Sequence, residues 1–494
     1  KGMAGEVDFY FREKTSFFDL TQTNFEEMLE GLSRVFYYLY VNNFMSFNLS
    51  AQDSSIQYFR DNNKSGINVF EPSKTADQPE FKGLHFKFGA SFTQDFQSLK
   101  HSNTPTFAID PRDPNFNTNL LYGTTTSDST TATLTGFNTA MANLNLDVQL
   151  GDGIRMCVES YMSTRHHNEF WVKGGYIQVD KLPMFGNPEW FKKYLRLKVG
   201  HFQPNYGDMQ FRRSDGGNTM YNPFVENNIL DAFTTEIGGE AYVFPIKGLM
   251  LMVGMTGGTL EGNIDVSDAR PEPFTFDKTK RKPSFLAKVA YDNTINKLRY
   301  RISASIYQNG GSPNHTLYYG DRAGSHYFMV MEQNRSEIRV DGISQGIGQS
   351  TYRNNKDSGR FIPVFNSEVN SFMVNAFVKY MGLEFFGTFE SAEGRVELPS
   401  YLRKDEPRKV SQFSTELVYR FCKKEQCYLG VRYNSMTGTP FVASSAFAPP
   451  PAATEDGTIT RLAIAAGWFP LHNLQIKGEY VMQKYNDFTD YRKD

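Results

Sequence analysis

"GLHFKFGASF", residues 83 to 92, sets Leu84, Phe86, Phe88, Ala90 and Phe92 against His85, Lys87, Gly89 and Ser91. Apolar and polar side chains alternate with period two, the pleat of a strand that has one apolar and one polar face. The pattern returns in residues 142–150, 154–162, 170–179, 194–200, 235–244, 248–256, 284–292 and 298–308. It continues in 371–380, 383–391, 412–421, 427–435, 460–469 and 474–482, which makes fifteen candidate strands.

The spacing between them carries further information. The short links are "GDG", "PIK", "NTINK", "MG", "CKKEQ" and "PLHN". Between these hairpins run long polar stretches: about 40 residues after the first strand, then 204–233, 257–283, 309–370, 392–411 and 436–459. Tight turns on one side alternating with long loops on the other are the signature of a transmembrane antiparallel β-barrel. A soluble sandwich gives no reason for every second connection to be long, and a propeller would repeat every 40 to 50 residues, which this chain does not. In "LRYRISASIYQ" (298–308), Arg299, Arg301, Ser303 and Ser305 would face a lumen while Leu298, Tyr300, Ile302, Ala304 and Ile306 face lipid.

Composition agrees. Only 39% of the 494 residues are hydrophobic and no run of eighteen apolar residues exists, so a transmembrane helix is not expected. The 43 Phe and 27 Tyr with 40 Gly favour β-structure. Basic and acidic residues number 52 and 54, which gives no reason to expect a nucleic-acid partner. Three cysteines do not make a disulfide framework. Cys422 and Cys427 in "FCKKEQCY" are close enough to close a small ring, as a hairpin disulfide or as two free thiols; a zinc site would want more ligands nearby.

Residues 34–51, "RVFYYLYVNNFMSFNLSA", have the order of a secretory signal: Arg34, an aromatic and aliphatic run from Val35 to Leu49, then small residues ending at Ala51. The expected organisation is a leader over 1–51, a periplasmic N-terminal segment over 52–80, and a barrel over 81–494. The alternative for 24–41 is an amphipathic helix. Bacterial single-chain barrels have even strand numbers, so a sixteenth strand is expected beyond "YVMQKYNDFTDYRKD".

"LRLKVGHFQPNYGDMQF" (195–211), a strand ending in Gly-His-Phe-Gln-Pro and followed by a turn, resembles an element of the phosphate-selective porin family, and "TEIGGEAYVF" follows in that family's order. "SSIQYFRDNNKSGINVFEP" and "FKGLHFKFGASFTQDFQSLKH" resemble the start of the mature region in porin-like proteins of Bacteroidetes-type bacteria. The resemblance covers residues 53–494 in strand layout and is specific around 195–244. It implies a Gram-negative outer-membrane porin, a passive diffusion channel for small hydrophilic or anionic solutes, often a homotrimer, with no cofactor and no enzymatic activity.

Anion preference would need a ladder of cations along the lumen. Strand parity offers Arg196, Lys198, Arg299, Arg301, Arg432, Arg461 and Lys477, with Arg212 and Arg213 in the loop after "QPNYG", which forms a constriction if folded inward or a tip in open water if not. The same parity places Asp147, Glu159, Glu236, Glu240, Glu384, Glu390, Glu416 and Glu479 inward, so locally paired lumen charges are the plainer expectation. The sequence has no HExxH and no Walker loop. "GISQGIGQS" (342–350) lacks the lysine and setting of a phosphate cradle, and no Ser is paired with a His and a third polar group. His166, His167 and Glu169 occupy a turn where neighbours point apart, so no metal is expected.

The rival reading is a non-conducting barrel, a subunit of an outer-membrane protein assembly, plugged by residues 309–370 with the aromatics of 317–331. Finally, Trp171, Trp190, Tyr194, Phe244, Tyr291, Tyr380, Phe421 and Trp468 lie near strand ends, where interfacial rings are expected.

Overall fold

The computed structural model describes residues 56–103, 124–125, 130–163, 171–214, 219–258, 282–312, 315–318, 337–340, 343–347, 359–395, 407–440 and 456–487. By contacts the chain divides into residues 1–55 and 56–494, and every strand belongs to the second unit. The expected leader, the 164–170 turn with His166, His167 and Glu169, and most of 309–370 lie outside the described residues.

The strands are β1 (His85–Asn103), β2 (Thr124–Thr125), β3 (Thr130–Gly151), β4 (Ile154–Ser163), β5 (Trp171–Val179), β6 (Leu195–Phe202), β7 (Glu236–Val243), β8 (Leu249–Thr256), β9 (Ser284–Ile295) and β10 (Leu298–Asn309). They continue with β11 (Glu337–Val340), β12 (Ile343–Ile347), β13 (Glu368–Tyr380), β14 (Leu383–Arg395), β15 (Arg408–Phe421), β16 (Cys427–Gly438), β17 (Gly457–Leu471) and β18 (Leu474–Asn486). A one-and-a-half-turn helix, α1 (Glu189–Tyr194), leads into β6. Fifteen of the strands correspond one to one with the fifteen alternating segments and pair in chain order, β1-β3-β4 through β10-β13 to β18. The sixteenth member of the sheet is the two-residue β2 against β3; β11 and β12 pair separately.

Each neighbouring pair is antiparallel, and the register keeps the two faces distinct. On β10, Ile302 is 56% exposed while its neighbours Arg301 and Ser303 are buried. Phe86, Phe88, Phe92, Val253, Phe413, Leu429 and Ile464 likewise point outward. A water-soluble sheet would bury the apolar face; here that face is outside, and the polar face encloses the core. Thr219 shows that the sheet is rolled. Its hydroxyl lies 3.1 Å from that of Thr93 on β1, and its carbonyl accepts from Lys477 on β18 at 2.8 Å, so the first and last strands approach one residue. The fold is a transmembrane β-barrel, and its apolar exterior places it in the outer membrane.

The hairpins follow turn chemistry. Met381 and Gly382 both take positive φ, as a two-residue turn matching strand twist requires, and a Cβ on Gly382 would stand 2.4 Å from the Arg420 carbonyl oxygen. Cys422 and Cys427 are joined by a disulfide across the β15–β16 turn. None of the eight terminal aromatics is buried in the core. Phe244 nevertheless turns partly inward to stack on Tyr242, and Trp171 lies at the long-loop end of β5.

Candidate functional site

The polar face of the barrel meets protein rather than open water over much of its circumference. Between β6 and β7, the described residues 203–214 and 219–235 fold into the lumen. Pro204 cannot continue the ladder, and Gly207 turns the chain at φ +67°, where a Cβ would lie 2.1 Å from Met373 Sδ. The segment also carries Met209, Phe224, Ile229 and Leu230, all buried against the wall. An open loop would leave those side chains in water, and folding inward removes them from it.

Charge holds what apolar contact begins. Asp208 accepts from Arg301 Nε and Nη2 at 2.8 Å each, from Ser303 Oγ at 2.8 Å, and lies 2.8 Å from Lys288 Nζ. Its amide donates to Asn375 Oδ1 at 2.8 Å. Further round, Ile229 N donates to Asn434 Oδ1 at 2.7 Å, and Gln412 Nε2 to the Leu230 carbonyl at 2.6 Å. Val225 N and Glu226 N donate to Glu479 at 2.7 and 3.1 Å. The loop is thus bonded to β10, β13, β15, β16 and β18.

Residues 56–80 lie across the end that carries the short turns. Gln57 donates through its side chain to Asp152 in the β3–β4 turn and through its backbone amide to Gln149, while Ser65 contacts His472 in the β17–β18 turn. Lys74 bonds Asp180, and Phe70 packs edge-on to Phe211 and Phe377. Glu71 pairs with Arg301 at 2.7 Å and Lys288 at 3.0 Å. Burial opposes ionisation of Glu71, but Arg301 and Lys288 outweigh it and hold the carboxyl down at about 2; the same two cations depress Asp208 against its own burial. Burial also lowers the Lys74 ammonium to about 8, with Asp180 pulling against it.

Eight of the nine basic residues singled out from the sequence hydrogen-bond to acceptors here, and Lys198 stands near a carboxylate without bonding it. Arg196 binds Asp180 at 2.8 Å, Arg299 binds Asp292 at 2.7 Å, and Arg301 binds Asp208 and Glu71. Arg212 and Arg432 share Glu416, and Arg432 also donates to the Glu226 carbonyl. Arg213 joins Arg360 on Asp231. Arg461 donates to the carbonyl of Asn227, and Lys477 to those of Thr219, Asn222 and Phe224. Lys198 is the least engaged, 3.8 Å from Glu240. The cations therefore fasten the inward loop and the wall to each other and do not form an open ladder. Arg212 and Arg213 stand buried in the lumen rather than at a tip in water.

The rival reading of 309–370 as a plug falls mostly outside the described residues. Leu317, Tyr318, Phe361 and Phe365 do pack in the core, with Tyr318 donating to Glu390 at 2.5 Å. The described filling, however, comes mainly from 203–235 and 56–80. The sequence signal was present in Met209, Phe211, Phe224, Ile229 and Leu230, which are too many apolar residues for a solvated loop.

Folding also assembles groups that were distant in sequence. Tyr307 OH donates to Glu236 at 2.6 Å and contacts Ser284 Oγ and His315 Nε2. All four residues are wholly buried, so the cluster ties strands together and offers no surface to a substrate. Among the described residues, no group of three or more His, Cys, Asp or Glu is placed to hold a metal.

Between the wall of β3–β7, the inward loop and the N-terminal segment lies a cavity of about 250 Å³. Its charged lining includes Asp147, Arg155, Glu159, Lys173, Arg196 and Lys198.

No family model matches the sequence, and no curated protein matches it. Solved structures with a similar strand layout include a loop-deleted form of OmpT, an outer-membrane protein of Vibrio cholerae, at 10% identity and TM-score 0.41, covering 83% of this chain and 96% of that one. The outer-membrane channel DcaP of Acinetobacter baumannii shares 11% identity at TM-score 0.40, over 82% and 92% of the two chains. OprB of Pseudomonas putida shares 10% at TM-score 0.38, over 81% and 89%. By its own sheet and exterior, the chain has the architecture of an outer-membrane β-barrel.

Proposed function

We propose that the protein is a porin-type barrel that passes small hydrophilic solutes along the β3–β7 side of its lumen, with weak charge selectivity. The observation that carries this reading is the seating of residues 203–235 against β10–β18, which leaves the polar cavity on the opposite wall. A sixteen-stranded barrel is otherwise wide enough for an aqueous channel. Weak selectivity follows from pairing, because a cation bonded to a neighbouring carboxylate contributes little net field to a passing ion. The short-turn end, with residues 56–80 across it, is the periplasmic side in this reading.

Planar-bilayer recording under a salt gradient tests it. The expected result is steady conductance in small steps with a reversal potential near zero. Large steps would mean that the inward loop does not restrict passage, and strong anion selectivity would restore the cation ladder. The crossing of the short-turn mouth by residues 56–80 favours a second reading, a closed barrel that serves as a subunit of an outer-membrane assembly. Silence from a folded barrel, with a partner that co-purifies, would establish that reading instead.

A further inference from the structure

Two charges in the cavity wall are less satisfied than their neighbours. Lys198, on β6, makes no hydrogen bond among the described residues; its ammonium lies 3.8 Å from Glu240 and over the rings of Phe202 and Tyr176, at 4.1 and 4.6 Å. Glu159, on β4, accepts from Lys173 through Oε1 at 2.8 Å. Their side chains keep 16% and 27% exposure, whereas Arg155, Lys173 and Arg196 keep less than a tenth. On the same wall, Arg155 Nε and Arg196 Nη2 are buried without a hydrogen-bond partner, and so is Asp147 Oδ1. Partly exposed charge is therefore left at Lys198, nearer the short-turn end, and at Glu159, higher on the wall.

The register gives the separation. Glu159 pairs with Gly174 and Lys198 with Gln178, so the two levels differ by four residues of β5, about 13 Å of strand. Both side chains are long, and strand side chains lean along the strand direction, so the two head groups can approach more closely than their backbone levels. The cavity's 250 Å³ corresponds to about eight waters, below the range of drug-sized pockets.

We infer that this cavity binds a small elongated zwitterion, its carboxylate on Lys198 and its ammonium on Glu159. The inference rests on the proposed small-solute passage for the route by which the ligand arrives, and it names the class of solute. A simple anion would engage Lys198 alone and a simple cation Glu159 alone, whereas a ligand with both ends engages both.

The test is calorimetric titration of the full-length protein in detergent with 6-aminohexanoate, hexanoate, hexylammonium and inorganic phosphate. The zwitterion is expected to bind about tenfold or more tightly than each of the others, one lost charge-assisted hydrogen bond apiece. Glu159→Gln should erase its advantage over hexanoate, and Lys198→Gln its advantage over hexylammonium. Phosphate or hexanoate binding as tightly as the zwitterion would overturn the inference, as would absence of binding by a barrel with intact circular dichroism. The ligand series on the unaltered protein decides even where a variant does not fold. A silent bilayer with this preference intact would remove passage and keep the site; conductance without the preference would do the reverse.

Discussion

Asp208 is the residue on which the inward loop turns. Its carboxylate is enclosed by Arg301, Lys288 and Ser303, so Asp208→Asn leaves these two buried cations with Glu71 as their one shared carboxylate. Breaking one member of such a buried network costs about 3 kcal/mol or more. The expected outcome is a lower midpoint of thermal unfolding together with larger or noisier conductance steps, since the loop loses its anchor while the barrel persists. Acid should act through the same carboxylates. Both Asp208 and Glu71 are held below their ordinary values, Glu71 at about 2 against 4.5. A carboxylate depressed in the folded state contributes its full stability above the unfolded value and loses it as pH falls through the folded one. Conductance recorded from pH 7 downward should therefore hold steady to about pH 4.5 and change progressively toward pH 2; a change centred near neutral pH would implicate other groups.

At the scale of elements, the loop of residues 203–235 and the segment of residues 56–80 are separable restraints on the lumen. Gly207→Ala forces a side chain into a left-handed backbone position and onto Met373 Sδ, so it should loosen the loop even though no charge is touched. Trypsin or chymotrypsin should then cut within 203–235 in the folded protein, where the parent resists. Deleting residues 56–80 should raise the conductance step without changing heat-modifiable migration of the barrel on a gel, because the ladder β1-β3-β4 through β18 makes no use of them. The β15–β16 hairpin offers a milder case. Its disulfide closes a ring across only five positions, so Cys422→Ser with Cys427→Ser should cost about 2 kcal/mol at most by chain entropy. Reductant should accordingly lower the unfolding midpoint slightly and leave conductance unchanged.

On the scale of the whole molecule, the barrel inverts the arrangement of a soluble protein: Phe88, Val253 and Ile302 face outward while Arg301, Glu416 and Arg432 are buried. The fifteen strands and their parity were legible because period-two alternation is a local property, read from residues i and i+2 without knowing what they touch. The alternation of short and long connections was equally local, and it gave the rolled sheet and its membrane setting. What filled the lumen was not legible in the same way. Arg212 pairs with Glu416, 204 positions away, and Lys477 with the carbonyls of residues 219–224, so no window of sequence contains both partners. Strand parity placed Arg301 and Arg432 inward correctly, yet parity is blind to a loop that returns to neutralise them. The sequence by itself determined the strands, their faces and the barrel, because those depend on neighbours along the chain. Only the tertiary structure decided that the cations are tethers, that residues 203–235 and not 309–370 are the main described filling, and that Lys198 and Glu159 share a cavity, because those depend on long-range contacts made after the sheet has rolled.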